Sequence, residues 1–537
     1  LSWTTPSSGG ASAINDLSDA LIEETNSMYI GNDPSSTTNE ANGNLAVGVT
    51  ALDAITTGDN NIAVGHNALG VNTTGTRNIA MGAGALDALD TETDNLAIGY
   101  DALGGSLNSG TKNIAIGNYS LDANTSGDNN TALGYDALTD NTTGDSNVGL
   151  GMKSLYNNTE GDKNVSVGTS SLYTNTTGNF NVTLGYHSLY YNQASSNTAL
   201  GYASLTTNTT GTFNVAVGRD ALIYNTEGSN NTAVGYHSLV DNTTGTRNIA
   251  IGNNAYDDAD TENDNLAIGY EALGGAIDGG EYNIAIGNYS LDANTDGDNN
   301  TAVGYDALTN NTTGNRNTAI GTNALKDNTS GIVNVAIGSA ALENNTTANS
   351  NTAVGHASSY LLASGASNVS IGHNSAFTIT TGNNNVVIGA EANPSTDGGS
   401  TNQIVIGKGT TGKGDNMVTI GNGDVTTWTP SDNNEVDLGS SSVQFKDLYV
   451  DGVAYTDALG FGAVAMTLPT ADGSANQVLK TDGSGALSWT TASGGASEIN
   501  ELSDALIEDT GSMYVGNDPS STTDDANYNL AVGITAL

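Results

Sequence analysis

There are no cysteines in the 537 residues, which excludes disulfides, zinc–thiolate sites and a cysteine nucleophile. Basic residues are also scarce: 12 Lys and Arg stand against 57 Asp and Glu, a formal net charge of -45. Phosphates demand a basic face and anionic membrane surfaces repel an acidic one, so nucleic-acid and lipid-surface binding are both disfavoured. Such charge keeps a long chain soluble and is screened by salt or divalent cations, which suits a saline setting. Aromatic residues make up only 6% and charged residues 13%, too few of each for an ordinary globular enzyme of this length. No apolar run is long enough for a transmembrane helix, and no signal peptide is visible. The chain begins Leu1-Ser2-Trp3 without Met, so targeting and anchoring parts are expected outside it.

What is present is glycine, 69 of them, on a strict period. Gly287, Gly304, Gly321 and Gly338 recur at a constant step of seventeen, and the same step links Gly31, Gly48, Gly65, Gly82 and Gly99. In all 21 units from Gly48 to Gly389 an Asn stands four residues before this glycine, among them Asn283, Asn300, Asn317 and Asn334. One unit reads roughly N-x-A-[IV]-G-x-x-[AS]-L-x-x-N-T-T-G-x-x. Residues two apart, such as Ile284 and Ile286, share one face of a strand, and Ala285 points the other way. Gly287 permits a bend, and Asn-Thr-Asp-Gly at 294–297 carries turn chemistry. A unit this short, rich in Asn, Thr and Gly, does not form a helical hairpin. It predicts an all-β fold: a parallel β-roll or β-solenoid of 17-residue coils, about 23 of them, stacked at about 4.8 Å to give a length on the order of 110 Å. Ile/Val and Leu are expected to be buried as ladders, and aligned Asn to hydrogen-bond from coil to coil.

Two longer repeats overlie the coils. Residues 245–250 repeat 75–80 at an offset of ten such steps, and Leu1-Ser2-Trp3-Thr4 returns as Leu487-Ser488-Trp489-Thr490. One super-unit and the start of the next are therefore expected, as in a piece of a tandem array. The reading divides the chain into a connector or cap at 1–27, the roll at 28–422, a β-rich connector and cap at 423–513, and the start of the next roll at 514–537. Within the connector, 436–438 and 445–452 look strand-like, 499–507 reads as a short helix or irregular cap, and Trp428 and Trp489 are candidate anchors.

The runs Asn283-Ile284-Ala285-Ile286-Gly287 and Asn334-Val335-Ala336-Ile337-Gly338 resemble the head repeats of trimeric autotransporter adhesins. That resemblance implies a left-handed roll, three chains side by side and a fibre that touches cells. The family unit is usually shorter than the one found here, the Asn-Thr-Thr-Gly turn being the extra piece. Residues 445–452 of the connector are similar to segments of phage tail-fibre proteins, which again implies homotrimeric fibres.

Candidate sites are few. Tyr100, Tyr135, Tyr186, Tyr202, Tyr236, Tyr270 and Tyr305 each follow a repeat glycine directly and form either a contact stripe or the cover of a seam between chains. Asp292, Asp296 and Asp298 offer oxygen ligands to calcium, although no EF-hand or nonapeptide calcium pattern is present and turn chemistry explains them equally. The histidines, His66, His187, His237, His356 and His373, read as solvent-facing. His356 and His373 lie in adjacent coils and could share a metal ion, without the third ligand that zinc sites use. Sequons such as that at Asn328 are turn residues or glycan acceptors. No P-loop, dinucleotide fingerprint or Ser/His/Asp arrangement stands out, and coils this uniform do not build the cleft of a β-helical lyase. Adjacent Thr residues in Asn-Thr-Thr-Gly point oppositely in a strand, against an ice-binding face. The expected function is a non-enzymatic structural unit of an extracellular or surface fibre or adhesive stalk, self-associating as a homotrimer, without a required cofactor. The alternative is a phage or viral fibre whose roll recognises host glycans or proteins.

Overall fold

A computed structural model describes residues 40–429 apart from 106–108, 276–278 and 396–397, together with 20–22, 27–30 and parts of 440–532. The chain divides into two compact units, Leu1–Thr427 and Trp428–Leu537. Among the described residues every regular element is a strand.

The first unit is a parallel β-solenoid of 17-residue coils. Strand β1 (Ala20–Ile22) pairs antiparallel with β2 (Met28–Ile30). From β2 onward, 24 three-residue strands ending at β25 (Val418–Ile420) pair in parallel, each with the next in the chain. The register keeps like residues in columns: β17 (Ile284–Ile286) meets β18 (Thr301–Val303) with Ile284 on Thr301, Ala285 on Ala302 and Ile286 on Val303. Outside the strand the coils continue to stack through single backbone bonds, such as Leu291 N–H to Ala307 O at 3.0 Å and Thr295 N–H to Thr312 O at 2.9 Å. The sheet is therefore one side of a coil whose remaining turns also zip to their neighbours.

The core corrects one expectation. The central Ala of each strand is the residue that points inward, fully buried from Ala63 to Ala353 where Ala occupies the column. The flanking Ile, Val, Leu and Thr face outward and are only half-covered or exposed. A coil closed by three-residue strands has a narrow interior, and Ala against the buried Leu column (Leu291, Leu308, Leu325) fills it. Toward the C-terminal end Val387 and Val405 take the Ala column, and Ala376 stands in the column that holds Leu308, Leu325 and Leu342.

Asparagine fills the rest of the interior. Asn300 N–H donates to Asn283 Oδ1 at 3.0 Å, Asn317 N–H to Asn300 Oδ1 at 3.0 Å, and Asn283 Nδ2 to Gly297 O at 2.8 Å. The Asn of Asn-Thr-Thr-Gly, read from the sequence as a turn residue, forms a second buried ladder. Asn311 Nδ2 donates to Asn294 Oδ1 at 2.8 Å, and Asn328 Nδ2 to Asn311 Oδ1 at 2.7 Å. Each side-chain amide thus satisfies buried backbone groups that a turn would otherwise leave bare.

The repeat glycine is demanded twice over. Gly304 has φ +142°, and a Cβ there would lie 2.6 Å from Gly321 O of the next coil. Non-glycine residues also take the left-handed region once or more per coil, including the buried Leu308 at φ 53° and the exposed Arg316 at φ 58°. That conformation costs roughly 1–2 kcal/mol per residue. Burial of the Leu and the coil-to-coil bonds offset it.

In the second unit β26 (Ala458–Phe461) pairs antiparallel with β27 (Val464–Thr467), and β28 (Gln477–Thr481) with β29 (Leu487–Thr491). Trp489 anchors this part: its Nε1 donates to Ala471 O at 2.7 Å, and its ring lies against Gly473. Trp428 is exposed. Strand β30 (Ala505–Ile507) pairs antiparallel with β31 (Met513–Val515), which runs parallel to β32 (Leu530–Val532). This repeats the β1–β2–β3 arrangement, β3 being Leu45–Val47. Of 499–507, read as a short helix or irregular cap, the described residues 505–507 are a strand, and 499–504 lies outside the described residues. So do 436–438 and most of 1–27, and the described residues of 445–452 hold no strand.

Candidate functional site

The alternation in and out defines one continuous outward face. Counting from the repeat glycine, Asn at −4 and Ala at −2 point inward, so −5, −3, −1 and +1 line the surface. At −1 every coil from Val47 to Ile420 carries Val, Ile, Leu or Met. At −3 the residues are Ile, Val, Leu or Thr. Large side chains extend the face at both edges. Phe180, Phe213 and Tyr282 lie at −5, and the tyrosine stripe lies at +1. Leu184 is 55% exposed and Phe213 62%. The apolar residues therefore lie in continuous columns, unlike the singly scattered ones of ordinary protein surface.

The seven tyrosines do not form one uniform row. Tyr186 and Tyr202 stack at 5.4 Å, and the Arg219 guanidinium bridges Tyr202 and Tyr236 at 5.7 and 5.6 Å from their ring centres. Tyr100 and Tyr135 both meet Tyr119 edge-on, and Tyr270 and Tyr305 both meet Tyr289. Tyr119, Tyr289 and Arg219 were not singled out from the sequence, because two of them stand one residue beyond the stripe's position and the third breaks its residue type. A second aromatic column, Tyr156, Tyr173 and Tyr190, stacks at 5.1 and 4.9 Å with rings nearly parallel. Its regular spacing, one residue per coil, was legible in the sequence.

Charge runs along the edges. Arg77 and Arg247 each clamp the Asp one coil on, Asp94 and Asp264, through Nε at 2.6 Å, and these pairs hold both carboxyls below the usual range. Asp257 behaves oppositely. Burial, and then the neighbouring Asp258, Glu271 and Asp241 carboxylates, push it up to about 7, and its Oδ1 is buried without a hydrogen-bond partner among the described residues. Burial also raises Asp241 and Asp292.

The calcium candidates are not brought together. Asp298 Oδ1 caps Glu281 N–H at 2.9 Å and Asp296 N–H bonds to Thr312 O at 3.0 Å, while Asp292 sits among the raised carboxyls. Among the described residues no group of three or more His, Asp or Glu is placed to hold a metal ion. His187 stacks on Tyr186 and is pushed down by burial, and His237 stacks on Tyr236 with Asp220 at 3.4 Å.

Compared with protein-family models, curated proteins and solved structures, the chain finds no match in any of the three.

Proposed function

We propose that this chain is a non-enzymatic structural unit of a long extracellular fibre or stalk, built from copies packed side by side on their outward sheet faces. The observation that carries the reading is the unbroken aliphatic column at −1, which runs the whole solenoid and faces away from its core. Left in water, such a face is an aggregation hazard; covered by identical faces, it becomes a second core. The adhesin resemblance implies three such copies pointing the same way. Uniform coils and the restart of the β1–β2–β3 arrangement at β30–β32 fit a spacer repeated in tandem.

A second reading, a fibre whose surface also grips a host glycan or protein, draws on the Tyr156, Tyr173 and Tyr190 column, which lies off the sheet face. The test is the mass in solution of the intact chain by light scattering. A mass three times that of the chain is expected, falling to one chain, still folded, when Ile286, Val303 and Ile320 are all replaced by Asp. A folded wild-type monomer would overturn the assembly.

A further inference from the structure

From Gly338 to Gly389 the stripe at +1 changes character. It reads Ser339, His356, His373, Ala390, and the neighbouring +2 column reads Ala340, Ala357, Asn374 and Glu391. The two imidazoles therefore stand between Ser339 and Ala390 in their own column, with no tyrosine in it. Their ring centroids are 5.3 Å apart and the rings are 15° from parallel. Both are exposed, and among the described residues neither ring makes a hydrogen bond or ion pair. The other three histidines have no histidine beside them, and His187 and His237 are packed on tyrosine.

We propose that His356 and His373 chelate one borderline-soft divalent ion, Cu2+, Ni2+ or Zn2+, through one nitrogen of each ring. Three features favour it. Imidazole suits these ions, in contrast to the oxygen ligands that calcium requires. The spacing of adjacent coils, about 4.8 Å, sets two donors side by side, and small rotations of the rings bring a nitrogen from each onto one ion. The backbone holding them is fixed. Asn374 N–H donates to His356 O at 2.9 Å and Glu391 N–H to His373 O at 2.8 Å, so binding orders little beyond two side chains. With no third protein ligand at hand among the described residues, the ion keeps water in its remaining positions, and affinity follows the general order in which Cu2+ exceeds Zn2+. The pair stands at +1, on the edge of the face by which copies are proposed to pack, so the metal titration is read beside the mass in solution of the same sample.

The test is calorimetric titration of the intact, untagged chain with Cu2+ alone and with Zn2+ alone, beside His356→Gln, His373→Gln and His66→Gln. One ion per chain is expected, Cu2+ the tighter. Each of the first two variants should lose at least about tenfold in affinity, since loss even of an outer-shell partner costs a metal site about 10–100-fold. His66→Gln should bind as the native chain does. Because both positions are exposed, circular dichroism and the thermal midpoint should stay unchanged, separating a lost ligand from a lost fold. Absence of the one-per-chain event, or native affinity in either variant of the pair, would overturn the site.

Discussion

Asn300→Ala tests the interior ladder most directly. Asn300 Oδ1 accepts from Asn317 N–H at 3.0 Å, and its Nδ2 donates to Gly314 O at 2.8 Å and to Asn283 Oδ1 at 3.2 Å. Truncation strands the buried Asn317 N–H, at about 1–3 kcal/mol. Gly314 O keeps its bond from Asn311 Nδ2 at 3.0 Å, so its loss is one ordinary bond, about 0.5–1.5 kcal/mol. The total is about 1.5–4.5 kcal/mol. Long repeat arrays do not unfold in a two-state manner, so a global midpoint would blur this. Native-state hydrogen exchange, read by mass spectrometry on peptides around Asn317, should show protection falling roughly 10- to 1,600-fold, at about 1.4 kcal/mol per tenfold. Asn310→Ala is the control. That side chain is exposed and bonds only Asp327 Oδ1, so its effect should stay within about 0.5 kcal/mol. Equal effects from the two substitutions would refute the ladder as a source of stability.

Gly304→Ala should cost more than the roughly 1–2 kcal/mol of left-handed strain alone, because its Cβ would meet the Gly321 backbone at 2.6 Å; exchange protection across both coils would show it. For Asp257 the folded carboxyl sits at about 7, well above its ordinary value, so the folded state holds the proton more tightly. Stability from this group is lost as pH rises through about 7 and regained as pH falls toward the ordinary carboxyl range. The thermal midpoint should therefore rise from pH 8 to pH 5.5, and Asp257→Asn should raise the pH 8 value and flatten the change; an unaltered slope would contradict the cause given. Asn328, an apparent glycan acceptor, is fully buried with Nδ2 committed to Asn311 Oδ1, so folded protein secreted from a eukaryotic cell should carry no sugar there, as peptide mapping would reveal.

The sequence by itself determined the period, and the period determined the architecture. A glycine at every seventeenth position with Asn four before it can recur only if each unit meets the same neighbour in the same way, so stacked parallel coils followed from Gly287 to Gly338 alone. The buried Leu column and the first Asn ladder were legible for the same reason. Tertiary structure decided which way the strand faces. Alternation places Ile284 and Ile286 together and Ala285 opposite, but a period of two does not say which side is the core. The width of the closed coil does: it admits Ala and sends Ile outward, turning residues that look like core into an outward apolar face. The same closure buried the Asn of Asn-Thr-Thr-Gly, which looks like an exposed turn until the next coil lies over it. It also stood His356 beside His373, a neighbour relation that sequence spacing suggests and that stacking in register makes physical.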